Sequence, residues 1–300
     1  MDELNEYTKN HDGNSNPEVL KNTTIYCEKV SSCLHPIRCK EAVEAKATME
    51  KSCDMLHVAG KSNLKCLMSF FRTSYMAQSS NEPTCFRQHD FLEKNLTKRQ
   101  KAYAEGEACF ISHIKEHCDE YSIDYFSKNY RKFADSISIK PPGTECVTAH
   151  NLLNTVHCRA IEEETTKLVK IWEETSFQPN DTRKAQVLKM CRDTEKCMRD
   201  SCLIPPFVVR TLTKSCDVLA MTQNHAYICI AGVTKDKPDL SKFKCLGEMN
   251  FYEPTPQVAC QKFTSKKECT KEIMIDVCEK ESIVDFDKTS EMLKKLLRCN

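Results

Sequence analysis

Apolar residues recur at helical intervals along most of this chain, and cysteines fall at fixed places within the helices they define. EAVEAKATMEKSCDMLHVAG at 41–60 reads as a helix with Val43, Ala47, Cys53 and Leu56 near one face and Gly60 as its C-cap. SNLKCLMSFFRTSYMA at 62–77 follows at once, which puts Cys53 and Cys66 on consecutive helices of a hairpin. EACFISHIKEHC at 107–118 is a third helix, whose two cysteines lie about two and a half turns apart and face different neighbours. The same order then returns as FVVRTLTKSCDVLAMTQ at 207–223, opened by Pro205-Pro206, NHAYICIAGV at 224–233 and KECTKEIMIDVC at 267–278. NLLNTVHCRAIEEETTKLVKIWEE at 151–174 reads as a leading helix for this second series. IKPPGTE at 139–145 cannot continue a helix and marks the break between the two, and residues 1–20, rich in Asn, Asp and Glu, read as a disordered lead-in.

The recurrence is a duplication. Cys27, Cys33, Cys39, Cys53 and Cys66 are separated by 6, 6, 14 and 13 residues; Cys191, Cys197, Cys202, Cys216 and Cys229 by 6, 5, 14 and 13. Cys85, Cys109 and Cys118 are matched by Cys245, Cys269 and Cys278, with separations of 24 and 9 in both series. KSCDML at 51–56 answers KSCDVL at 214–219, and CDEYSIDYF at 118–126 answers CEKESIVDF at 278–286. The expected architecture is all-α, two tandem disulfide-stapled small helical bundles over 21–146 and 147–300. Eight matched cysteines in each copy allow four bridges within each. Cys146, Cys158, Cys260 and Cys299 then pair among themselves, most economically as Cys146–Cys158 and Cys260–Cys299. Spacing does not select among the connectivities inside each set.

Composition sets the compartment. The chain of 300 residues is 40% apolar, but 20 of its residues are cysteines, and without them about a third is apolar, which is lean for a large core. Lean cores need staples, and so many cysteines belong in an oxidising compartment. No C-x-x-C occurs, so neither a zinc knuckle nor a thioredoxin-like pair is spelled. All twenty are therefore expected in disulfides. Forty-four basic and 43 acidic residues give a net charge of +1, with no footprint for nucleic acid. No apolar run reaches the length of a membrane span. MDELNEYTKNHDG lacks the basic and apolar regions of a secretory leader, so secretion implies a leader already removed or a missing first coding segment. A cytosolic protein of this composition is the weaker reading.

The C-x5-C-x5-C-x13-C-x12-C opening, the KSCD-L helix and the late C-x8-C helix followed by Ser-Ile resemble the nematode family of secreted, cysteine-rich domains catalogued as domain of unknown function nineteen, over roughly 27–146 and 160–300. The resemblance implies an extracellular helical module, often in tandem, with no catalytic residues to carry over. Cys158 and Cys260 depart from a simple eight-cysteine pattern. A looser similarity, to the stacked cysteine-rich helical domains of neurotrophic-factor co-receptors, lacks the adjacent C-x-C pairs.

Candidate chemistry is sparse. HIKEH at 113–117 spells an inverted zinc-peptidase helix, with two histidines one turn apart and a glutamate base. Ile273, Asp276 and Val277 replace it in the second copy, no third-ligand motif follows, and a solvated polar helix face is the favoured reading. The remaining histidines sit beside no nucleophile motif, and no Gly-rich phosphate loop occurs. The sequence therefore points to no catalytic residue, metal or cofactor. Asn22, Asn95 and Asn180 each open a glycosylation sequon. Two functional classes remain: a secreted module that engages an extracellular or cell-surface protein, and a small-molecule or lipid carrier with a hollow core. Lean apolar content favours the first. Phe70, Phe71, Tyr75 and Met76 of CLMSFFRTSYM are a candidate contact patch, although the same residues read more simply as the core of the first copy.

Overall fold

In a computed structural model of the chain, the described residues are 17–79, 84–175, 182–278 and 280–299, and no strand occurs among them. Among the described residues, seven helices precede the Pro-Pro-Gly break: α1 (Pro17–Leu34), α2 (Lys40–Ala59), α3 (Lys61–Ser79), the short α4 (Cys85–Gln88), α5 (Leu96–Glu105), α6 (Glu107–His117) and α7 (Glu120–Ser138). Seven follow: α8 (Ala149–Thr175), α9 (Thr182–Arg199), α10 (Pro206–Met221), α11 (His225–Asp236), α12 (Pro256–Gln261), α13 (Lys267–Cys278) and α14 (Phe286–Leu297), with 3-10 turns at Lys244–Leu246 and Lys280–Ile283. Residues 17–20 of the expected lead-in are thus helical, and residues 1–16 lie outside the described part.

The chain divides into two compact units, one running to Ile171 with Asp193–Val209, the other made of Trp172–Arg192 and the residues from Arg210 onward. The first is organised around Phe70. Its ring lies 4.7 Å from Phe110, 5.0 Å from Phe91, 5.5 Å from Phe71 and 5.7 Å from Phe86, mostly edge to face. The α7 helix closes this core with a stripe of Ser122, Phe126, Tyr130, Phe133 and Ile137, all buried, and Asp119 caps its first turn by accepting from Ser122 N at 2.9 Å. Tyr130 donates to the Tyr103 carbonyl at 2.6 Å, which satisfies a buried hydroxyl. Gly106, between α5 and α6, lets the two helices turn under the Phe91 ring, where a Cβ would come within 2.5 Å of its edge.

The leading helix α8 belongs to this first unit. Leu153, Val156 and Ala160 enter the Phe70 core, and Arg99, itself buried, donates to Asn154 Oδ1 at 2.8 Å and to the Ile137 carbonyl at 3.2 Å. The boundary between repeats and the boundary between compact units therefore do not coincide. In the second unit, Met221, Ala226, Val233, Phe251, Phe263, Ile273, Met274 and Phe286 form the core, and Asp285 caps α11 by accepting from the His225 and Ala226 amides, each at 2.9 Å. The expected face of α2 is corrected in part: Cys53 is buried as expected, but Val43 and Ala47 are exposed, Met49 and Val58 are buried, and the Leu56 side chain is not among those described.

Candidate functional site

Nine disulfides fix the scaffold. Three recur in register: Cys27–Cys53 with Cys191–Cys216, Cys66–Cys118 with Cys229–Cys278, and Cys85–Cys109 with Cys245–Cys269. Cys260 joins Cys299, the pairing that economy had selected. The expected Cys146–Cys158 bridge is corrected, since Cys146 joins Cys202 and Cys158 joins Cys197. Cys158 lies well inside the continuous helix α8, and the nine residues from Ala149 rise about 13 Å, beyond the reach of a disulfide from Cys146. The expectation that all twenty cysteines pair is corrected too: Cys33 and Cys39 are exposed thiols.

The HIKEH motif is a solvated face only in part: Lys115, Glu116 and His117 are exposed, but His113 is not. Cys109, Phe110, His113 and Ile114 form the buried stripe of α6, and the His113 ring lies 5.8 Å from Phe70 and 5.6 Å from Phe86. Burial, with the neighbouring His117 and Arg72, pushes the His113 pKa down to about 4. Its counterpart Ile273 is fully buried, so the position is a core position in both copies. His117 is exposed, and among the described residues no group of three metal-ligating side chains comes together. Phe70 and Phe71 have no exposed surface and belong to the core, while Tyr75 and Met76 are half-buried, the Tyr75 hydroxyl donating to Asp193 at 2.7 Å. Asn95 is exposed at the start of α5, where its Oδ1 caps the helix by accepting from Lys98 N at 3.1 Å. Asn22 falls in α1, its side chain not among those described, and Asn180 lies outside the described residues.

The surface that sequence reading missed is a groove of about 580 Å³ in the first unit, where α7 runs beside α1 and α2. Its floor carries the Cys27–Cys53 bridge and Met49; its walls carry His57, Tyr121 and Tyr125, and its rim carries Glu50, Asp124, Lys128 and Lys132. Tyr125 stacks on His57 with ring centroids 5.5 Å apart, and Lys128 pairs with Asp124 at 2.7 Å one turn away. Tyr121, Tyr125, Lys128 and Lys132 recur at helical intervals beside the buried stripe of α7, and that spacing was the available signal. The second copy does not reproduce this surface. With Ser282 and Phe286 at the register of Ser122 and Phe126, it has Glu281, Asp285, Lys288 and Met292 at the four positions. The second unit instead has an apolar groove of about 400 Å³, lined by Ile228, Val233, Pro238 and Val277 among others.

Fold and bridges together define a tandem, disulfide-braced helical protein. The profile of the family described as Domain of unknown function (DUF19) matches residues 1–147 and again residues 146–300, and the chain belongs to that family. No curated protein and no solved structure matches it.

Proposed function

We propose that this is a secreted binding protein, not an enzyme, whose first copy engages an extracellular or cell-surface protein through the groove along α7. The observation that carries this is the asymmetry between the copies: the buried register of α7 is kept, while its outward stripe becomes two tyrosines and two lysines in one copy only. Aromatic anchors with a charged rim suit a protein surface, because tyrosine supplies contact area at small entropic cost and the rim steers orientation. The core of the same unit is packed with rings around Phe70, which supports a solid module over a hollow one. Secretion is supported by the nine bridges, and among the described residues no helix is long and apolar enough to cross a membrane. We assign a glycan to Asn95, whose cap engages Oδ1 and not the amide nitrogen that a glycan occupies.

The test is proximity labelling from the oxidised, glycosylated chain on its native tissue surface, compared with Tyr125→Ala and with the exposed pair Lys128→Glu and Lys132→Glu. A surface protein labelled by the wild type and lost with either variant, by about ten-fold or more for an anchor residue, supports the reading. Labelling that ignores both variants contradicts it. The apolar groove of the second unit favours the carrier reading. That reading takes the lead if organic extraction of the native protein releases a stoichiometric lipid or sterol.

A further inference from the structure

Cys33 and Cys39 sit where the second copy holds Cys197 and Cys202, at the end of the first helix of the module and at the start of the next. In the second copy both are bridged, Cys197 to Cys158 with Cα atoms 5.5 Å apart and Cys202 to Cys146 at 5.7 Å. One leading segment, with cysteines twelve residues apart, is thereby bolted at two points. In the first copy the same two positions are exposed thiols, and every other cysteine of the chain is bridged. The surrounding surface differs in the same sense. Thr194 and Met198 have no exposed surface, Thr194 lying 3.4 Å from Thr165 of the leading helix; their register counterparts Val30 and Leu34 are only half-buried. Ile37, in the turn between the two thiols, is 44% exposed. Unpaired thiols beside a half-exposed apolar edge are out of place in an oxidising compartment unless something takes them up.

We propose that Cys33 and Cys39 form a covalent docking site for a helix bearing two cysteines twelve residues apart, a further copy of the module's leading segment, seated as residues 146–158 are seated in the second copy. Cys33 bonds the cysteine in the place of Cys158, and Cys39 the one in the place of Cys146. Val30, Leu34 and Ile37 give the arriving helix an apolar edge to cover before the bonds close. Each bridge forms by exchange with oxidised glutathione. One thiolate attacks the glutathione disulfide and releases a glutathione thiolate; the opposing cysteine then attacks the mixed disulfide and releases the second. Two cysteine thiols are oxidised, one glutathione disulfide is reduced to two thiols, and the two protons end on the departing thiolates.

The test uses the whole chain, with Cys33 and Cys39 as thiols, and a synthetic peptide of residues 144–171 with both cysteines reduced, in a glutathione redox buffer. The expected product is a one-to-one adduct whose mass is the sum of the two less four hydrogens, mapping as peptide Cys158 on Cys33 and peptide Cys146 on Cys39. Cys33→Ser should leave a single link through Cys39, and Cys39→Ser the converse. A peptide scrambled at all but the two cysteines should react about ten-fold more slowly, because no seated first contact raises the local concentration for the second. Several outcomes would overturn the assignment: an internal Cys33–Cys39 bridge, a chain dimer joined through these thiols, uptake of glutathione alone, peptide found on Cys197 or Cys202, or equal capture of the scrambled peptide.

Discussion

His113 is buried and His157 half-buried in the first unit, and in both rings Nε2 is buried without a hydrogen-bond partner. Burial, with Arg99 and Lys94 nearby, holds the His157 pKa down to about 3, as burial holds that of His113 to about 4. Both folded values lie below the ordinary 6.5, so the folded state favours the neutral ring. Above pH 6.5 neither state gains by protonation, and the stability of the unit is fully present. Below it the unfolded chain takes up protons that the folded chain refuses, at a cost of about 1.4 kcal/mol per pH unit for each ring. Stability should therefore fall between pH 6.5 and 5 by about 1.6 kcal/mol for His113 and by less for the half-buried His157. Denaturant titrations at the two pH values measure it, and His113→Leu should remove one ring's share. A profile that is flat over that interval, or unchanged by the substitution, contradicts the buried neutral assignment. A single sequence could not place His113 in the core, because its polarity and its fit to a zinc spelling both point outward. The counterpart Ile273 was the better guide.

At the scale of elements, helices whose apolar stripe is intact were legible almost to the residue. The reading of 107–118 meets Glu107–His117, that of 151–174 meets Ala149–Thr175, and that of 267–278 meets Lys267–Cys278. Among those that escaped was α7, because its core-facing positions include Ser122 and Ser138, which break the apolar periodicity although both are buried. The outward stripe of the same helix forms the groove, so the candidate site was lost together with the element that carries it. The α1 helix escaped for another reason. Thr23, Thr24 and Ile25 are β-branched, with weak helix preference, and the helix is held to α2 through Cys27–Cys53. The bridge between Cys146 and Cys158 failed as an expectation because pairing by nearness in sequence ignores the rise of an intervening helix.

For the whole molecule, the duplication was readable from cysteine spacing alone, but the packing was not, since α8 begins the second copy in sequence and fills the core of the first unit in space. This has a proteolytic consequence. No disulfide spans residues 140–145: three bridges close before them and six after. A single cut by a glutamate-specific protease at the exposed Glu145 should give fragments that co-elute under native conditions, held by Leu153, Val156, Ala160 and the Arg99–Asn154 bond. The same fragments should separate on a denaturing gel without reductant. Fragments that part natively, or that stay joined in the denaturing gel, would contradict the placement of α8. The account as a whole rests on one module used twice, with its bridges in register and one hairpin end left open. Non-reducing peptide mapping of the chain, oxidised alone and alkylated before digestion, tests that most directly. It should return the three pairs of matching bridges, Cys146–Cys202, Cys158–Cys197 and Cys260–Cys299, with alkyl groups on Cys33 and Cys39 only. A bridge from Cys27, Cys53, Cys66, Cys85, Cys109 or Cys118 to any cysteine of the second copy would contradict it.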